Sequence, residues 1–357
     1  MMKRATLKSL YVCPFVVLFC SFVVTAISIA KFRYYDVPAV IAFGDSILDT
    51  GNNNYIETIV RAKVEPYGRD FFGGKPTGRF CNGRVPSDIL VEILGIKKAL
   101  PPYLDPNLEI EDLLTGVCFA SAGSGYDPIS VKIASVISPE GQLKMFQEYI
   151  GQLQEAVGEA KTALILAKSI IIISMGSNDI AGTYFSSPFR RFEYDVEEYT
   201  SMLVNSSSSF LQELYKFGAR KIGVLGLSPV GCVPLQRTLK GGRDRDCAKS
   251  INEAAMAYNI KLSYSIEALG RSLPQAKFVY LENYKEFDEI IQHHDQFGFE
   301  VADSACCGGS GLVCSPLSPS ICEDADKYVF WDSYHPTDRT YNIVVSEIVK
   351  RDIDKFF

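Results

Sequence analysis

Only three histidines occur in the 357 residues, at 293, 294 and 335, and none lies among the cysteines. In an oxidising compartment thiolates compete poorly for metal against disulfide formation, so a zinc centre is disfavoured. Basic runs and basic amphipathic helices are also missing, and 36 Lys and Arg stand against 42 Asp and Glu. Nucleic acid, an anionic membrane surface and electrostatic steering of acidic substrates are therefore poor matches. No G-x-S-x-G elbow surrounds Ser46, and "GGKPTGR" at 73–79 lacks the hydroxyl residue that must follow a P-loop lysine. Internal repeats and linkers are absent as well. With 47% hydrophobic and 22% charged residues, disorder is excluded for most of the chain.

The first thirty residues have a separate character. Lys3, Arg4 and Lys8 precede an apolar run from Val12 to Ile29, with Ser28 and Ala30 at a cleavage point. This is the profile of a signal peptide over residues 1–30, with a membrane anchor as the competing reading. Either implies export, and removal of the leader leaves 33 basic and 42 acidic residues, a net charge of −9, with no further membrane span expected. Of ten cysteines, Cys13 and Cys20 leave with the leader. The remaining eight permit roughly a hundred pairings, but Cys306, Cys307, Cys314 and Cys322 crowd a Gly- and Ser-rich loop where disulfides are expected. The sequon Asn205-Ser206-Ser207 fits the same compartment and makes Asn205 a candidate glycosylation site.

Residues 31–357 are expected to form one domain. Val37 to Phe43, Ile170 to Met175, Lys221 to Leu227, Lys277 to Leu281 and Tyr328 to Trp331 have the short β-rich pattern of buried parallel strands. Ile251, Ala255, Tyr258, Leu262, Ile266 and Leu269 recur at helical spacing, and the pattern predicts a helix ending at Gly270. A last helix after Pro336 presents Tyr341, Val344, Val345 and Ile348 on one face. This alternation predicts an α/β fold with a parallel sheet covered on both sides, and residues 303–325 as a cysteine-braced excursion.

Reactive groups in such folds gather at the carboxyl ends of strands. "VIAFGDSILDTGNNN" at 40–54 places Ser46 there. Taken alone, a serine in that position reads as a turn or cap residue. A hydroxyl becomes a nucleophile when a base removes its proton, and histidine suits that task. His293 and His294, in a polar stretch, have the character of a solvated loop or helix end. His335, in "YVFWDSYHPT", follows Asp332 by three residues, a spacing at which a carboxylate can accept from Nδ1 and leave Nε2 facing a serine. A structural Asp turn with a packed histidine is the alternative. Donors for a developing oxyanion are available in "GVCFASAGSGYD", through the Gly123 amide, and in "IIISMGSNDI", through the Asn178 side chain, although either segment taken alone reads as a strand-end turn.

Taken together, "FGDS", the glycine segment, "GSND" and "DSYH" resemble the GDSL esterase/lipase, or SGNH hydrolase, family over nearly the whole chain after the leader. "PTGRFCNGR" at 76–84, "LGLSPVGCVP" at 225–234 and "YVFWDSYHPT" are similar to its secreted plant branch, and the Cys118 segment is similar to the extracellular lipases within it. Two departures stand out: Ile47 replaces the motif leucine, and Cys118 occupies a position often held by asparagine, either as a buried thiol or paired.

The resemblance implies a three-layer α/β/α sandwich with a mainly parallel five-stranded sheet. It also implies Ser46 as nucleophile, His335 as base, Asp332 as its orienting partner, and an oxyanion hole from the Ser46 amide, Gly123 and Asn178, with Gly125 a nearby alternative to Gly123. Two-step ester hydrolysis needs neither metal nor organic cofactor. Its substrate would be an acyl lipid or acylated cell-wall material. An acyltransferase on the same machinery and a non-catalytic lipid- or partner-binding protein are the alternatives.

Overall fold

The computed structural model describes residues 36–308, 314, 315, 317, 318 and 320–357. The signal-peptide segment, residues 1–30, lies outside them. β1 (Val40–Gly44), β2 (Ile170–Ser174), β3 (Lys221–Leu225) and β4 (Lys277–Leu281) form where β-branched and apolar residues run together. They pair in parallel in that order, with Val40 beside Ile170, Ile170 beside Lys221 and Lys221 beside Lys277. The strands therefore finish level, and their carboxyl ends make a common shelf for loops.

Successive side chains on a strand point to opposite faces, and each face here has its own core. Ile41, Phe43, Ile171, Ile173, Ile222 and Val224 pack with the helices Pro139–Val157, Val196–Lys216 and Lys249–Ser272. Val40, Ala42, Ile170, Ile172, Val279 and Leu281 pack with Pro86–Ile93, Tyr284–Gln292 and Asp338–Asp352. The fold is an α/β/α sandwich. Burial of each large aliphatic side chain contributes about 1.5–3 kcal/mol, so the two cores dominate its stability.

The sheet departs from the expectation in strand count. Its fifth position, outside β1, is filled by the irregular segment 117–121, which exchanges hydrogen bonds with β1 through Ala42 N to Val117 O, Phe119 N to Ala42 O and Ser121 N to Gly44 O. Tyr328 to Trp331 is not in this sheet: β6 (Tyr328–Phe330) pairs with β5 (Val301–Ala305) in a separate parallel pair. The reason is local, since the loop after β5 donates from Cys306 N to Phe330 O and from Cys307 N to Trp331 O, occupying that edge. The long helix also runs past Gly270 to Ser272. Pro274, which lacks an N–H and cannot continue a helix, stops it instead.

Disulfides join Cys306 to Cys322 and Cys307 to Cys314 in the expected excursion, and Cys232 to Cys247 beside it. Cys81 and Cys118 are free and buried. Together with Tyr67, Phe80 and Trp331, the excursion cysteines form a third, small core.

Candidate active site

The turn that carries Ser46 follows directly from β1. Gly44 has φ +137°, and a Cβ there would lie 2.0 Å from Ser174 O, so only glycine lets β1 end this close to β2. Asp45 then turns the chain: its Oδ1 accepts from Ile47 N at 3.1 Å and its carbonyl from Leu48 N and Asp49 N. The strand itself ends at Gly44, and this turn holds Ser46 two residues beyond it, at the shelf.

From the other side comes the turn after β6. Ser46 Oγ lies 2.8 Å from His335 Nε2, and His335 Nδ1 lies 2.8 and 2.9 Å from the two Asp332 oxygens. Asp332 Oδ1 also accepts from Tyr334 N and His335 N at 2.8 and 2.7 Å, which is what the three-residue spacing achieves in a tight turn. Its Oδ2 accepts from the Tyr67 hydroxyl at 2.7 Å. Burial drives the Asp332 carboxyl up, but the His335 charge and these donors outweigh it and hold it below the usual carboxylate range. Burial and the Asp332 charge raise Tyr67 well above an ordinary phenol, so it stays a donor. The Phe80 ring packs on the imidazole with centroids 4.9 Å apart.

The polar tract after Ser46 has a structural task. Asp49 accepts from Gly51 N, Asn52 N and Ala122 N. Asn52 Nδ2 donates to Cys118 O and Ala120 O, both at 2.8 Å, and Asn53 Nδ2 donates to Ala122 O at 2.9 Å. The asparagines thus staple the glycine segment to the nucleophile turn. Gln142 completes the clamp, accepting from Gly44 N and donating to Gly44 O, each at 2.9 Å.

Gly123, with φ +86°, lines the cleft beside Ser46, Asn178 and His335. Gly125 does not, because it packs against Asp179, whose Oδ1 would lie 2.1 Å from a Cβ there. Among the described residues the Ser46 and Gly123 amides donate to no protein acceptor. Asn178 Nδ2 spends one hydrogen on Ser124 O at 2.9 Å and has a second to offer. His293 is exposed at the end of the helix Tyr284–Gln292, away from this group.

Two further acids lie beneath the site. Burial pushes Asp45 up to about 7, opposed by the Ile47 amide and the His335 charge. Burial likewise pushes Asp179 up to about 7, against hydrogen bonds from Ser130 and the Tyr126 and Asp127 amides. Among the described residues, Asp45 Oδ2 has no hydrogen-bond partner. Burial pushes the Cys118 thiol up to about 12, which disfavours its thiolate.

A cleft of about 590 Å³ opens over Ser46. Ile47, Val60, Leu227, Val230, Val233 and Phe287 give it mostly apolar walls, three of them from the "LGLSPVGCVP" block. Tyr67, Gln142 and the asparagine staples were not legible as site residues, because each acts through contacts 66 or more residues away in the chain. "PTGRFCNGR" was the available signal for Phe80. The same block buries the Arg79–Asp88 ion pair at 2.7 Å and supplies Asn82 Oδ1 to Asp338 N at 2.9 Å.

A serine, a histidine and an aspartate in series over an apolar cleft define a serine hydrolase geometry. Residues 40–348 match the family model of the GDSL-like Lipase/Acylhydrolase. The chain is 47% identical over 349 residues to the GDSL esterase/lipase EXL3 of Arabidopsis thaliana, covering 97% of this chain and 95% of that one. It is 42% identical over 332 residues to the GDSL esterase/lipase EXL2 of the same plant, covering 88% of each. Among solved structures, phospholipase A1 from Streptomyces albidoflavus NA297 aligns over 88% of this chain and 99% of that one, with 14% identity and a TM-score of 0.41. The chain belongs to the GDSL esterase/lipase family and is a carboxylic ester hydrolase.

Proposed function

We propose a secreted serine esterase/lipase that cleaves carboxylic esters through an acyl-enzyme. His335 Nε2 takes the proton from Ser46 Oγ as the oxygen attacks the acyl carbonyl, and Asp332 orients the ring and stabilises the imidazolium. The Ser46 and Gly123 amides and the Asn178 side chain receive the oxyanion. His335 then protonates the leaving alcohol, and water activated by the same nitrogen releases the acid and restores Ser46. The observation that carries this reading is the continuous hydrogen-bonded line from Ser46 Oγ through His335 to Asp332, with each step under 3 Å.

The substrate is an acyl lipid or another acyl ester, including acylated cell-wall material, and the apolar walls of the cleft support an acyl group of some length. Export is supported by the apolar leader and by three disulfides, and Asn205 is exposed for glycosylation on the helix Val196–Lys216. The test is a rate profile on p-nitrophenyl esters from acetyl to palmitoyl, with and without an added alcohol. Ser46→Ala should lower turnover by roughly 10⁴ or more, and Asn178→Ala by roughly 10² to 10³. Undiminished hydrolysis by Ser46→Ala would sink the mechanism, and an acyl product that forms only with added alcohol would make the chain a transferase.

A further inference from the structure

No basic run marks the sequence, yet Arg61 lines the cleft, and Lys63, Lys132 and Arg191 lie within four residues of others that do. Ile59 and Ile133 both line the cleft and are 97% and 64% exposed. Their segments are tied together by Thr58 Oγ1, which donates to Ala134 O at 2.8 Å. Alongside, Ser186 and Ser187 line the cleft just before the helix Phe189–Glu193, which exposes Phe189 and, at 87%, Phe192. Arg190 pins that helix to Asp127, the N-cap of the neighbouring helix Pro128–Ala134. Single exposed hydrophobics need no explanation, but two at one opening and two on the helix that follows its lining serines do.

Charge follows the same rim. Asp127 and Glu193 are both taken by Arg190. Arg61, Lys63, Lys132 and Arg191 are exposed and in no ion pair among the described residues, against Glu57, Glu65 and Asp195 as exposed acids on the same segments. This occurs on a chain of net charge −6.

We propose that the rim is a docking surface for an anionic lipid aggregate, with Phe192 and Ile59 entering the acyl layer and the four cations meeting the headgroups. Exposed apolar side chains favour lipid over an acidic polysaccharide, which would engage the cations alone. Such docking would open the cleft directly onto packed acyl esters, a benefit that rests on the hydrolase reading, although the adsorption itself does not.

The experiment is co-sedimentation of the purified protein with vesicles of phosphatidylcholine alone or mixed with phosphatidylglycerol. Binding should require phosphatidylglycerol and weaken with salt. Lys63→Gln, Lys132→Gln and Arg191→Gln should each cost about fivefold in partition, roughly a hundredfold together. Phe192→Ser should cost roughly tenfold or more. None of these four lines the cleft, so rates on a soluble short-chain ester should be unchanged. Failure to sediment with phosphatidylglycerol vesicles at low salt, or full binding by the triple variant, would overturn the proposal. Binding to polygalacturonate that Phe192→Ser leaves intact would overturn it in favour of polysaccharide. Ser46→Ala should lose hydrolysis and keep vesicle binding; if it keeps both, the catalytic reading falls and the docking surface stands.

Discussion

The two halves of the site are held by different physics. The proposed nucleophile half, that of Ser46, sits on the main sheet, where β1 is bonded on both sides and its end is clamped by polar side chains: Gln142 on Gly44, and Asp49, Asn52 and Asn53 on the segment 118–122. The proposed acid–base half, Asp332 and His335, follows β6, three residues long and outside that sheet. There the support comes from two disulfides, the aromatic packing of Tyr67, Phe80 and Trp331, and one phenol on Asp332. Both arrive at hydrogen-bond distance from each other. The contrast teaches that a short strand needs covalent and aromatic bracing to match the precision a wide sheet supplies through its ladder.

The contrast can be broken from either side. Cys306→Ser with Cys322→Ser removes a brace from the acid–base half and should cost about 2–5 kcal/mol in urea unfolding, with kcat falling more than KM changes. Gln142→Ala leaves the Gly44 N–H and carbonyl buried without their side-chain partner and should cost about 2–3 kcal/mol, while adding reductant to this variant should still destabilise it further. Equal loss of the nucleophile turn's amide protection against hydrogen exchange in both variants would show one cooperative unit instead of two.

A smaller effect concerns pH. Asp45 and Asp179 have folded pKa values of about 7, above the unfolded value, so the folded state holds their protons more tightly and stability falls as pH rises from about 4 to 7. Asp45→Asn keeps an oxygen for the Ile47 amide and should flatten that fall by up to about 1.4 kcal/mol per pH unit, read from unfolding at a series of pH values. Asp332 acts in the opposite sense, since its lowered carboxyl adds stability above about pH 4 that is lost on further acidification. The smallest change is Tyr67→Phe, which removes one hydrogen bond to a charged acceptor and should lower kcat about tenfold with KM little altered. A tenfold rise in KM at constant kcat would instead make Tyr67 a wall of the cleft.

Local pattern was enough to reveal the four main strands, the final helix, the turn from Asp332 to His335, and the cysteine-rich excursion, because each is written within a few residues by periodicity, spacing or turn chemistry. Ser46, Asp332 and His335 were legible for the same reason, as short motifs at strand ends. What needed tertiary structure was every relation across long stretches of chain: the segment 117–121 as the edge of the sheet, β6 pairing with β5, and Tyr67 reaching Asp332 from 265 residues away. Val301–Ala305, with small and acidic residues, lacks a strand's apolar alternation and becomes one through its pairing with β6. Hydrogen-bond partners at such separations are chosen by packing, which local sequence does not encode. The proposed docking rim is a case of the same kind, since its four charges lie on three segments that are tied together only in the fold.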